Sequence, residues 1–240
     1  MKIRPTMAAS LLVLALAACT DREAQRQAQA AAEAQAREQA AAQLQREFDG
    51  AVQSGNWELA RVHGAALLAQ YPDTPAAEAV EPALPDIQAK ADAAREQRRL
   101  AALWNYARVA AGKGEQRSAS IFSREPVDTG AGAARTVQLV FRDHPEWKRS
   151  AYLVLENGDF DCYGGCRLQV HVDQAARAMS AWRPRTDEAI AMFIEDHNGL
   201  FKRLDGAGTL RIAFPVKGVG TRTAEFEVGG LDRSQMPGWE

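Results

Sequence analysis

Residues 151–172 read AYLVLENGDFDCYGGCRLQVHV, and this stretch decides the class of the fold. In RLQVHV, Leu168, Val170 and Val172 fall on one side and Gln169 and His171 on the other, the period-2 pattern of a strand with one buried face. Asn157-Gly158 stands between two apolar runs, a pairing that predicts a tight hairpin. Gly164 and Gly165 form a second turn signal, flanked by Cys162 and Cys166.

The same period extends outward on both sides. Upstream, ARTVQLVFR (134–142) aligns Val137, Leu139 and Phe141. Downstream, TLRIAFPV (209–216) and TAEFEVGGL (223–231) alternate and are joined by KGVGTR, which predicts a second hairpin. One amphipathic helix is expected among these strands. Thr186 caps it, Asp187 and Glu188 favour its positive end, Ile190, Phe193, Ile194, Phe201 and Leu204 form its stripe, and Gly206 ends it.

Before GKGEQR (112–117) the period is helical. Phe48 to about Ala102 predicts amphipathic helices, with a turn at Ser54-Gly55, a second helix from Asn56 or Trp57 to Gln70, and interruptions at Pro82 and Pro85. Residues 20–46 are almost entirely Ala, Gln, Glu and Arg, strong helix formers with no large apolar residue before Leu44. Nothing there supplies a coiled-coil seam, so a spacer is expected, helical or disordered. A full helix of about 27 residues would reach on the order of 40 Å. The expected class is α+β: an all-α stalk and helical hairpin, then an antiparallel β-rich domain carrying one amphipathic helix. The divisions expected are 1–18, 19–47, 48–102 and 103–240.

Residues 1–19, MKIRPTMAASLLVLALAAC, combine a charged start, a short apolar run and small residues before a cysteine. That is a secretion leader, too short to span a bilayer. Leu16-Ala17-Ala18-Cys19 resembles the lipobox of bacterial lipoproteins, which implies that Cys19 becomes the acylated mature N-terminus. Thr20 at the next position favours the outer membrane, with the chain facing the periplasm. The membrane is then a partner through the acyl chains, since more than one chain gives durable anchoring.

Export to an oxidising compartment, with Cys19 consumed by lipid, leaves Cys162 and Cys166 as an even pair. A disulfide is favoured over a redox couple, which uses Cys-x-x-Cys at a helix start, and over a zinc site, which needs four ligands.

The formal net charge is −2, and no basic stretch is interleaved with aromatics, so nucleic acid is not an expected partner. No phosphate loop, His-Glu-x-x-His or Gly-x-Ser-x-Gly motif occurs. His63, His144, His171 and His197 are scattered, and the nearest approach to a metal set, His171 and Asp173 with Asp159 and Asp161, reads better as solvent-facing polarity. No catalytic residue, metal or cofactor is expected. Trp147, Trp182 and Trp239 are the candidate ligand-contacting aromatics, in case the protein is a small-ligand or glycan receptor.

Two family resemblances add to this. Residues 55–80 resemble a single tetratricopeptide-like hairpin, with Gly55 at the turn, Ala60 within the helix and Tyr71-Pro72 at its end. From about Leu103 to Leu231 the chain resembles the accessory module of type VI secretion lipoproteins of the VasI or TagO kind. The matching features are WNYARV, LVFR, FDCYGGC, VHVD, AWRPRTDEA, LFKRLDGAGTLRI and the closing AEFEVGGL. That resemblance implies a non-enzymatic periplasmic module engaged in contacts with an envelope protein partner. It also implies that LWNYARV opens the β domain, where periodicity alone would continue the helix.

Overall fold

The computed structural model describes residues 10–186 and 190–239, with side chains from residue 22 onward. The chain is α+β and divides into two compact units, Met1–Ala94 and Arg95–Glu240.

In the first unit α1 runs unbroken over Ser10–Gln53. The Ala/Gln-rich segment is therefore helical, and it is exposed from Arg22 to Gln39. From there α1 packs with α2 (Trp57–Gln70) and α3 (Pro75–Val80), which lead through a 3-10 turn into α4 (Leu84–Ala101), whose residues from Arg95 onward belong to the second unit. Gly55 takes φ 69° at the α1–α2 turn, a conformation that favours glycine. Asn56 then caps α2 by accepting from the Leu59 N–H. Phe48, Ala60, Leu67, Val80 and Ile87 form a small core whose helices approach closely because its contacts are largely alanines and Gly64. Among the described residues no helix is long and apolar enough to cross a membrane.

The second unit is built on one antiparallel sheet of nine strands among the described residues. These are β1 (Trp104–Ala111), β2 (Gly114–Phe122), β3 (Gln138–His144), β4 (Lys148–Val154), β5 (Cys166–Val172), β6 (Ala175–Trp182), β7 (Ala191–Ile194), β8 (Thr209–Val216) and β9 (Gly220–Glu227), in spatial order 1-2-3-4-7-6-5-8-9. WNYARV is thus a strand, paired along β2. Alternate residues from all nine strands meet in a single core, so the sheet curls and covers its own inner face. The remaining gap is filled by α5 (His197–Arg203), through Leu200 and Phe201, and by the C-terminal tail, through Met236 and Trp239.

Two expectations are corrected. Asn157-Gly158 is not a hairpin turn: β4 pairs with β3 and β7, and β5 with β6 and β8. Instead the Asn157 side chain donates to the carbonyls of Ala131 and Ala133 and accepts from Thr129 Oγ1. It pins the 123–137 loop, while Phe160 crosses to bridge Val216 at the end of β8. An Asn-Gly signal marks a backbone turn, and the turn here changes neighbours rather than returning to the same one.

The helix expected across 186–206 is shorter and starts later. Asp187 and Glu188 lie outside the described residues, residues 191–194 are strand β7, and the helix begins after Asp196, whose side chain accepts from the Gly199 N–H. The apparent helical stripe merged two elements. Met192 and Ile194 face the core from a strand, while Phe193 faces outward. A four-residue strand is too short for its period to stand out against a longer apolar pattern.

The turn between β5 and β6 is held by Asp173, at φ 51°. Its carboxylate accepts from Gly208 N (3.1 Å), Thr209 N (2.8 Å) and Thr209 Oγ1 (3.2 Å). Chiefly the Thr209 amide, with that of Gly208 and the Thr209 hydroxyl, holds this carboxyl below the usual carboxylate range, against a smaller opposing effect of burial. A depressed folded value stabilises above the ordinary carboxylate pKa of about 4, and that stability is lost as pH falls through the folded value. Asp173→Asn is therefore expected to reduce stability at neutral pH, with the gap to the parent protein closing in acid. A denaturation series from pH 7 to 2 in which the gap stays constant would contradict this.

Candidate functional site

The three tryptophans flagged in the sequence part company in the structure. Trp147 is 66% exposed and Trp182 44% exposed, whereas Trp239 is 1% exposed and packs in the core against Phe141 and Phe201. Trp239 is therefore not placed to stack on a ligand.

Trp147 and Trp182 are the ends of one stripe across the outer face of β3, β4, β7 and β6. The Arg142 guanidinium lies over the Trp147 ring and over the Tyr152 ring, 5.3 Å from each centroid. Tyr152 meets Phe193 at 5.1 Å, and Phe193 stacks on Trp182 at 4.9 Å with the planes 18° apart. Strand register explains the continuity: Tyr152 is paired with Phe193 and Phe193 with Trp182, on adjacent strands. Burial pushes the Tyr152 phenol above its ordinary pKa, and the Arg142 charge pulls it partly back.

A short sequence, HPEWK (144–148), holds the exposed end. His144 is buried, and its Nδ1 accepts from the backbone N–H groups of Glu146 and Trp147, both at 3.1 Å. Its ring stacks on Trp147 at 4.1 Å, and Lys148 closes the β3–β4 turn at φ 61°. Trp147 is thus fixed in place although most of its surface faces solvent.

Between the two tryptophans lies a cleft of about 490 Å³, with Arg142, Ser150 and Phe193 among its lining. Arg142 Nε and Ser150 Oγ, on residues paired across β3 and β4, are both buried without a hydrogen-bond partner among the described residues. Such groups are costly to leave unpaired, and they lie beside the cleft floor rather than open to it. His197 and Glu195 stand at one side, with His197 Nδ1 3.1 Å from the Glu195 carbonyl oxygen.

No family model, curated protein or solved structure matches the chain.

The remaining flagged residues go elsewhere. Cys162 and Cys166 are joined in a disulfide, Cα atoms 5.2 Å apart, with Gly165 at φ 90° turning between them. Beside it Arg183, only 4% exposed, pairs with Asp159 at 2.6 Å and lies over the Tyr163 ring at 4.2 Å, and the Tyr163 hydroxyl donates to Asp159. The corner is a covalent and ionic reinforcement of the start of β5. Among the described residues no three His, Cys, Asp or Glu side chains form a group able to hold a metal ion. Asp159 is engaged with Arg183 and Asp173 with the β8 amides, while His63 faces Glu47 at 3.2 Å. The side chain of Cys19 lies outside those described.

Closing a five-residue loop stabilises by about 2 kcal/mol in the chain-entropy estimate. The Cys162→Ser/Cys166→Ser variant is expected to lose about that much, read as a lower urea midpoint with the slope unchanged. The intact protein should weigh two hydrogen masses less before reduction than after, and two freely alkylated thiols would count against the bond.

Sequence reading missed Arg142, Tyr152, Phe193 and Ser150. Arg142 and Tyr152 carried a usable signal, since each alternates with core-facing neighbours and so belongs to an outer face. Their convergence on Trp182 depends on β7 entering between β4 and β6, which no local pattern announces.

Proposed function

We propose that this protein is a lipid-anchored, non-enzymatic component of the bacterial outer membrane, facing the periplasm, whose β domain binds an envelope protein partner through the Trp147–Trp182 stripe. The observation that carries the reading is the stripe itself, two exposed tryptophans joined through Arg142, Tyr152 and Phe193. Trp, Tyr and Arg are the residues that dominate binding energy at protein interfaces, and here they are clustered and held rigid before any partner arrives. The Leu-Ala-Ala-Cys quartet supports anchoring at Cys19. An accessory role in a secretion system rests on the type VI resemblance, and the neighbouring genes are its direct check.

Crosslinking in intact cells, followed by affinity capture, tests the reading when the parent protein is compared with Trp147→Ala/Trp182→Ala. One species should be enriched with the parent and fall by about tenfold or more with the variant, as expected for loss of two central contacts. An identical captured set from both proteins would remove the stripe from the function. Palmitate labelling that persists in Cys19→Ser would remove the anchor.

The cleft lined by Trp147, Trp182 and Phe193 favours a second reading, a small-ligand or glycan receptor using the same platform. Saturable binding of a purified glycan, abolished by Trp182→Ala while the captured proteins stay unchanged, selects that reading.

A further inference from the structure

A second cleft, of about 500 Å³, opens where the inner face of the sheet runs past its core, between the β5–β6 hairpin and the end of α5. Its floor is apolar: Val170 and Met179 belong to the core, and Val172 packs against it from the edge. Three cations surround this floor. Arg177 comes from β6, and Lys202 and Arg203 come from the last turn of α5, with Asp205 as the one acid in the lining.

Arg177 is the informative residue. Along β6 it alternates with Met179 and Ala181, which are 3% and 1% exposed, so it occupies an inward-facing position, paired across the strands with Val170. An apolar side chain there would extend the core. The arginine instead stands exposed at the mouth, as do Lys202 and Arg203, and among the described residues none of the three has an ion-pair partner. Two separate elements thus bring three positive charges to one apolar hollow against a single acid, Asp205, an arrangement that complements an anion carried on an apolar body.

We infer that this mouth binds a small amphipathic anion, a carboxylate or phosphate head held by Arg177, Lys202 and Arg203 with a short acyl or alkyl body on Val170, Val172 and Met179. The site is separate from the Trp147–Trp182 stripe and stands whether or not that surface binds a protein.

Calorimetric titration of the mature chain with octanoate and with octyl phosphate, below their aggregation concentrations, tests the inference. Saturable one-to-one binding of either probe is expected, weakening with added salt and falling by about tenfold in Arg177→Ala, as for loss of one charge-assisted hydrogen bond. The tighter of the two probes identifies the head group. Arg177→Lys should retain part of the affinity, and Trp147→Ala all of it, with unchanged melting temperatures showing that the fold is intact. Absence of saturable binding by both probes overturns the inference, as does equal binding of octylammonium or an affinity indifferent to both Arg177→Ala and Lys202→Glu.

Discussion

Trp239→Ala is expected to destabilise the β unit by about 3–5 kcal/mol, the cost of truncating a fully buried aromatic whose site cannot collapse. Trp239 is the penultimate residue, yet its ring is 1% exposed and packs edge-on against Phe141 at 5.5 Å and against Phe201 at 4.9 Å. Those two rings belong to β3 and α5, so the tail joins sheet to helix across the opening that the curl leaves. In thermal unfolding the loss should lower the midpoint by roughly 10 °C for a unit of this size. Trp147→Ala provides the contrast, because its ring is mostly in solvent and its removal should change stability by only about 0.5 kcal/mol. Equal midpoints for Trp239→Ala and the parent protein would show that the ring does not fill the core.

The second large effect is expected at Gly230. Its φ is unremarkable, so the constraint is steric: a Cβ would intrude on the backbone of Leu100 and Ala101, at the end of α4. Backbone cannot rotate aside as a side-chain tip can, so Gly230→Ala must push the tail away from the helix end. Overpacking of this kind costs about 1–3 kcal/mol, and here about 3 is expected. Gly229→Ala meets first the tip of the Leu100 side chain, at 3.3 Å, and should be mild. The measurement is chemical denaturation of both variants, and similar midpoints for the two would refute the distinction.

Gly230 and Trp239 illustrate how unevenly the fold could be read from the chain. The final hairpin, the strand around Val137 to Phe141 and the helices up to Gln70 follow from local period and punctuation, and each forms as expected. Position 230 was visible as part of a distinctive ending, but its cause is a contact more than a hundred residues away. Trp239 stands with Trp147 and Trp182 as a candidate platform by residue type alone, and the local sequence gives no sign that its ring folds into the core. Phe193 was assigned to the wrong element, since one strand turn and the following helix together mimic a longer amphipathic stripe.

The candidate site shows the same division. Trp147 and Trp182 could be singled out by residue type alone. Arg142 as the link, Ser150 as the unpaired hydroxyl, and the lateral alignment of Tyr152, Phe193 and Trp182 all arise from strand order, and pairing between distant strands is a tertiary property. The cationic mouth at Arg177 was equally hidden, because Lys202 and Arg203, helical as expected, meet β6 only through the packing of α5 beside the sheet.

The order of the sheet carries a mechanical consequence. β1 to β4 form one continuous meander, β6, β5, β8 and β9 lie side by side as a second group of four, and the four-residue β7 stitches the groups together, with four register pairs to β4 and two to β6. Within the sheet, the second unit is therefore two groups of four strands closed by a zip fastener whose slider is a single short segment, while the Arg124 N–H donates to the Glu225 carbonyl and the Arg222 side chain to the Asp128 carbonyl, tying the groups a second time outside it. Trp182 lies on one side of that fastening, Tyr152 on the other, and Phe193 on the slider itself. A partner bound along the stripe would hold the fastening shut.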